Sequence, residues 1–219
     1  MIISVQETGF MESNVFLLSE EKHGILIDPS DLHAADALIN QNEIMEIDSA
    51  IITHEHCDHC YECEQIRKKY HCELIASEKC SENMKSPRRN LSQYYDALIA
   101  VQGRMRAEDQ KDILPFSAEA THTFTGSLCF IWQDHQLELR ETPGHSPGSI
   151  CVLVDGKFLF SGDSLIWHEK PNTRFVGGSE KDYQQFTLPW LYSLPQETAV
   201  YPGHGINFIL GDQLQFLGL

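Results

Sequence analysis

Thr53-His54-Glu55-His56-Cys57-Asp58-His59 follows the apolar pair Ile51-Ile52, and its reading decides the fold. Three histidines and an aspartate crowded into so short a stretch supply imidazole and carboxylate donors, the ligands that suit zinc and iron(II). In an extended segment His54 and His56 project to one side, so both can face one ion. Asp58 and His59 stand at the start of the following helix and can reach a second. Three later stretches use the same pattern of a strand ending at a ligand beside small residues. They are Thr142-Pro143-Gly144-His145-Ser146-Pro147-Gly148, Phe160-Ser161-Gly162-Asp163 and Tyr201-Pro202-Gly203-His204-Gly205. Glycine beside a ligand lets the backbone turn sharply and lets a metal approach closely. Strand ends gathered on one rim then supply two metal sites, with Asp28, after the apolar residues 25–27, supporting a ligand from behind. His23, His33, His71, His122, His135 and His168 lack such company and read as ordinary surface or core histidines. His168, close after Asp163, is also a candidate to line the cleft.

Outward from these stretches, residues 15–18 and 25–27 flank the polar turn Glu20-Glu21-Lys22-His23-Gly24 and read as a hairpin. Residues 32–40 have the spacing of an amphipathic helix, 50–53 of a buried strand, 61–70 of a helix and 73–76 of a strand. From 81 to 114 the chain turns polar, with a helical stretch at 91–105 and no strand pattern. This connecting segment either covers a site or packs on the core as a surface helix. In the first case Tyr94, Tyr95, Arg104 and Arg106 are the groups a substrate's tail would meet. The second half returns to short apolar strands at 122–124, 128–132, 136–140, 150–154 and 157–160, with Asp155-Gly156 as a hairpin turn. A helix at 182–194 interrupted at Pro189, a strand at 199–201 and a helix near 209–217 follow. Two halves of strands and helices predict an α+β fold: two packed mixed sheets with helices on the outer faces, in one domain spanning 1–219.

The 219 residues are 42% hydrophobic, ample for a packed core, and carry 16 Lys and Arg against 32 Asp and Glu, a net charge of −16. Such a surface repels nucleic-acid phosphates and anionic headgroups, which argues against nucleic acid or membrane as a partner. The chain has no apolar run of about 18 residues or more and no basic, apolar leader at Met1, so the expected compartment is the cytoplasm. Seven cysteines, an odd number, fit reduced thiols. Cys57, Cys60, Cys63 and Cys72 have the look of a metal-binding spacing. Cys60 and Cys63 share a helical face, however, and read as small core residues.

The set His54-x-His56-x-Asp58-His59, His145, Ser161-Gly162-Asp163 and Pro202-Gly203-His204-Gly205 resembles the metallo-β-lactamase-fold hydrolases over nearly the whole chain. Thr142 to Ser149 and Tyr201 to Gly205 are most similar to the hydroxyacylglutathione hydrolase (glyoxalase II) branch. The resemblance implies an αββα four-layer sandwich with two metal ions at the sheet rim. His54, His56 and His145 would hold the first ion, Asp58, His59 and His204 the second, and Asp163 would bridge. It departs from the branch at Cys60-Tyr61-Glu62-Cys63, where glycines are usual, and at Asn172-Thr173-Arg174-Phe175, the place of a Gly-Arg-x-Asp stretch. Only residues 206–219 follow the last ligand, where glyoxalase II carries a further helical region.

The ions implied are divalent, zinc first, with iron or manganese as alternatives. About 3.5–4 Å apart, they would lower the pKa of a shared water and stabilise an oxyanion. A metal-bound hydroxide would attack the carbonyl of a small thioester or ester. Asp58 would both ligate and orient the nucleophile, and a thiolate (pKa about 8.5) would leave with little proton donation. A lactonase or a mononuclear-iron persulfide dioxygenase of the same fold are the rival readings. The partner expected is a small-molecule substrate, and the oligomeric state stays open.

Overall fold

Strands sandwiched between two other layers must be apolar at both parities, and the inner strands meet this demand. In the computed structural model, which describes residues 1–102 and 113–217, β2 (Asn14–Glu20) and β3 (His23–Ile27) are buried almost end to end. Val15, Leu17 and Leu26 enter a core shared with helices, while Phe16, Leu18, Ile25 and Ile27 enter a core between two sheets. The second half repeats the division. In β9 (Ile150–Val154) Ile150, Val152 and Val154 face the inter-sheet core, and Cys151 and Leu153 face a third core under the helices.

The first sheet has the order β1-β2-β3-β4-β5-β6, with β1 (Ile2–Glu7), β4 (Glu46–Ile51), β5 (Glu73–Ser77) and β6 (His122–Phe124). Its first three strands are antiparallel and the rest join in parallel. The second sheet has the order β12-β11-β10-β9-β8-β7. Its strands are β7 (Ser127–Trp132), β8 (His135–Glu141), β9, β10 (Phe158–Gly162), β11 (Ala199–Pro202) and β12 (Phe208–Ile209). Both sheets are therefore mixed, and the α+β sandwich expected from the sequence is the one found.

Helices α1 (Leu32–Gln41), α3 (Cys63–Tyr70) and α4 (Glu78–Met84) cover the first sheet, sharing a core in which Cys60, Cys63, Cys72 and Cys80 are small buried residues. All seven cysteines are free thiols, and burial pushes the Cys63 thiol up to about 12. Asp31 starts α1 by accepting the backbone N–H groups of His33 and Ala34 at 2.8 and 3.1 Å, an N-cap of the usual kind. Leu188 and Leu191 of α7 (Leu188–Ser193) and Leu210 and Leu214 of α8 (Leu210–Phe216) enter the core outside the second sheet.

Several elements differ from the sequence reading. The helix expected from residue 61 begins earlier, as the short α2 (Cys57–Cys60), breaks at Tyr61 and Glu62, and resumes as α3. Pro189 does not end its helix, but the winding changes just before it. α6 (Glu180–Asp182) passes through a π-helical turn, Tyr183–Thr187, into α7, whose first turn holds Pro189 where no N–H is needed. In the connecting segment the helical stretch expected at 91–105 is, as far as residue 102, a 3-10 turn, Ser92–Tyr94, and α5 (Tyr95–Gln102). Arg104 and Arg106 lie outside the described residues. Among the described residues no helix is long and apolar enough to cross a membrane.

The fold delivers its polar residues to one rim. Asp28 follows β3, His54 to His59 follow β4, His145 follows β8, Asp163 follows β10 and His204 follows β11. The two sheets are stitched there: Ile150 N–H donates to the Thr53 carbonyl at 2.8 Å. Asn14 donates from its backbone to the Gly203 carbonyl at 2.8 Å and from Nδ2 to the Pro202 and Gly205 carbonyls, both at 3.0 Å.

Candidate metal centre

All seven residues singled out from the sequence meet at this rim, six of them in two triads. In the first, His54 Nε2 and His145 Nε2 approach His56 Nδ1 to 3.1 and 3.0 Å. In the second, His59 Nε2 lies 3.2 Å from His204 Nε2, and Asp58 Oδ2 lies 3.3 Å from the same His204 atom. Within each triad the ligand atoms all fall within 4.8 Å of one another. Asp163 stands between the triads, with Oδ2 3.5 Å from His145 Nε2 and 3.6 Å from His204 Nε2, and Oδ1 3.5 Å from His59 Nε2. Buried ring nitrogens turned toward each other, with Asp163 Oδ1 left without a hydrogen-bond partner, are the donor set of a cation site. The residues fit two divalent ions.

The supports behind the ligands are equally specific. Asp28, which is 1% exposed, receives the Thr53 N–H at 2.6 Å and the Thr53 hydroxyl at 2.7 Å, and pairs with His59 Nδ1 at 3.0 Å. That pairing turns His59 Nε2 inward, the supporting role expected of Asp28. His145 Nδ1 donates to the Asn172 carbonyl at 2.8 Å, leaving Nε2 for the triad. Ser13 donates to the Asp58 carbonyl at 2.7 Å. Gly203 is obligatory, since a Cβ there would stand 2.3 Å from Asp163 Oδ1 and 2.7 Å from His59 Cε1.

Electrostatics divide the two triads. Burial, reinforced by neighbouring histidines, pushes His54 far down and His56 down to about 3, and burial also lowers His145. These three are neutral at physiological pH. For His59 burial is outweighed by the carboxylates of Asp58, Asp163 and Asp28, which raise it to about 10. His204 is raised against the same burial by Asp163 and Asp58. Burial likewise fails to keep Asp58 up: His59 and His204 draw its carboxyl below the usual range, and Asp163 is lowered in the same way. A group with a raised pKa holds its proton through the neutral range, so an ion entering the second triad must displace protons from His59 and His204. Affinity at that triad is therefore expected to rise with pH through the neutral range, while the three-histidine triad stays flat. Calorimetric zinc titrations of metal-free protein in buffers of different ionisation enthalpy check this. Equal proton release at both sites would contradict it.

Over the triads lies a cleft whose apolar lining is Met11, Leu91, Leu98, Ile166, Pro171 and Phe175, with Glu169 and Lys170 beside them. Phe175 packs edge-on against His56 and His145, with ring centroids at 5.3 and 5.7 Å. The segment after residue 81 thus does reach the cleft, but through leucines. Tyr95 is buried in the cluster of Phe10, Met11, Cys57, Leu91 and Ile113, and Tyr94 is 38% exposed outside the lining. His168 is not brought to the site either. It stacks between Trp167 and Phe216 at 4.0 and 4.8 Å. His23, Glu46 and Asp48 form another acidic grouping at the surface, where His23 and Trp132 already bond Asp48. The roles of Asn172, Ser13 and Phe175 were not legible in the sequence. A backbone carbonyl carries no side-chain signature, and the serine and phenylalanine lie far along the chain from the ligands they contact.

The sequence profile of the Metallo-beta-lactamase superfamily matches residues 8–204. Among curated relatives, the hydroxyacylglutathione hydrolase of Rhizobium johnstonii is 25% identical over 211 residues, covering 89% of this chain and 66% of its own length. Among solved structures, the BLEG-1 B3 metallo-beta-lactamase superposes with a TM-score of 0.80 at 21% identity, over 98% of this chain and 97% of that one. TTHA1623, solved in a di-iron-bound form, gives a TM-score of 0.76 at 22% identity, over 97% and 98% of the two chains.

Proposed function

This chain belongs to the metallo-β-lactamase superfamily, and from that premise we propose that it is a binuclear metal-dependent hydrolase of small acyl thioesters, with lactones and other esters as weaker substrates. The observation that carries the reading is Asp163, whose carboxylate reaches toward both triads at once. A carboxylate so placed fits two ions held as a pair better than it fits one. His54, His56 and His145 would hold one ion, Asp58, His59 and His204 the other, and Asp163 would bridge. Bound there, the ions would supply Lewis acidity and bring a water's pKa toward neutrality. Zinc suits these ligands, and so do iron and manganese, the former being the metal of TTHA1623.

The chain's own groups then shape the reaction. Asp58, ionised throughout the neutral range, orients the attacking water by accepting its hydrogen bond. Met11, Leu91, Leu98 and Phe175 exclude solvent water from the acyl group and favour an apolar one. A thiolate needs little proton donation to leave, and among the described residues the cleft lining offers no histidine beyond the assigned ligands to give it one. The Rhizobium relative, a hydroxyacylglutathione hydrolase by name, supports a thioester over other carbonyl substrates. Free cysteines throughout support a reducing compartment, the cytoplasm.

Steady-state assays with S-lactoylglutathione and simple acyl thioesters test the reading. Hydrolysis is expected that a chelator abolishes and zinc restores. No turnover of any thioester, alongside oxygen consumption with glutathione persulfide, would replace it with the dioxygenase reading.

A further inference from the structure

Between the two histidines of the first motif stands an acid that the chemistry above does not use. Glu55 is 1% exposed, and among the described residues no cation pairs with it. Its oxygens instead collect neutral donors. Asn83 Nδ2 of α4 donates to Oε1 at 2.7 Å, and the Ser146 hydroxyl donates to Oε2 at 2.8 Å. The backbone N–H of Gly148 donates as well. Burying a carboxylate without a counter-charge is costly, so its neighbours must depend on it for something an apolar residue would not supply.

What depends on it is the loop that carries His145. Both loop donors, Ser146 and Gly148, lie within three residues of that ligand. The loop's bonds to itself gather at its base, where Thr142 N–H donates to the Ser149 carbonyl at 2.8 Å and Ser146 N–H to Ser149 Oγ at 3.1 Å, while Gly144 N–H and Ser149 N–H reach the Ser146 carbonyl only at 3.4 and 3.5 Å. The loop backbone is also pressed onto the acid, since a Cβ on Gly148 would stand 2.4 Å from Glu55 Oε2 and 2.4 Å from Cys80 Cα. Ser77 holds the far side by donating to the Gly148 carbonyl at 2.8 Å.

We propose that Glu55 is a positioning residue for the three-histidine site: it clamps the His145 loop to the stretch that bears His54 and His56, so that the triad is set before an ion arrives. The proposal rests on the assignment of those three histidines to one ion.

The test titrates zinc into metal-free wild-type protein and its Glu55→Gln, Ser146→Ala and double variants, reading each site's affinity by calorimetry. The imidazole NMR signals of His54, His56 and His145, followed against those of His59 and His204, tell the sites apart. Glu55→Gln keeps the side chain's size, and its amide oxygen can still accept from Asn83. Each single variant is expected to weaken the three-histidine site by roughly 10–100-fold, with the other site within about threefold of wild type. The double variant should be no weaker than the worse single, because both cuts sever one link. Equal weakening of both sites, additive losses in the double variant, or unchanged affinities would each overturn the clamp. Should Glu55→Gln not fold, Ser146→Ala carries the same expectation at an ordinary hydroxyl. A wild-type protein that takes up no ion would instead defeat the site assignment, an outcome distinct from a wild type that binds two ions and a variant that binds them equally well.

Discussion

An Asp163→Ala protein is expected to bind fewer than two divalent ions per chain and to lose about 1,000-fold in kcat/KM, roughly 4 kcal/mol of transition-state stabilisation. The reasoning is electrostatic. Asp163 reaches toward both triads, with oxygens 3.5–3.6 Å from nitrogens of His59, His145 and His204. Two ions bound there would repel each other, and Asp163 is the residue placed to hold them as a pair; its loss would weaken that hold and the Lewis acidity the pair would supply. The fold should tolerate the change, because alanine fits beside Gly203 and leaves no new clash. Elemental analysis and steady-state kinetics on the same preparation decide the matter. Two retained ions with full activity would show the bridging assignment to be wrong.

The largest effect on stability is expected from Phe160→Ala, in the layer between the sheets. Phe160 is fully buried, meets Phe16 edge-on at 5.2 Å and stacks on Tyr201 at 4.9 Å. Truncation removes the transfer energy of the ring and leaves a cavity that both sheets line, costing about 3–5 kcal/mol. For a domain of this size that is a fall in melting temperature of roughly 6–20 °C, measured on metal-free protein so that ion binding does not mask it. Phe160 lies on β10 just before Asp163. Kinetics per folded molecule should nevertheless stay near wild type, since the ring faces the core and the carboxylate the rim. A Phe160→Leu variant should recover most of the loss. A melting temperature unchanged by Phe160→Ala would mean that the two sheets do not share this core.

Which features the sequence revealed follows from where their physical signal resides. The seven candidate ligands stood out because metal chemistry needs particular side chains at strand ends, and the structure brings all seven together. Inner strands were legible because burial on both faces leaves continuous apolar runs, as in β9 and β10. The edge strand β1 escaped notice, since it alternates exposed and half-buried residues without a run. β12, at two residues, exists only by pairing with β11. Pro189 looked like a helix breaker because local sequence does not show that a new first turn begins there. Tyr94 and Tyr95 drew attention as aromatics, yet the leucines at 91 and 98 form the cleft wall, a distinction set by tertiary packing and not by residue type. Glu55 carried no signal of a role. Its partners, Asn83, Ser146 and Gly148, come from two distant parts of the chain.

The central claim is that hydrolysis depends on a pair of ions, and one titration tests it most directly. Zinc is added stepwise to metal-free protein while hydrolysis of an acyl thioester is followed at each step. Activity is predicted to rise with the second equivalent and to level off at two ions per chain. A plateau at one equivalent, or no hydrolysis with both sites filled, would contradict the account.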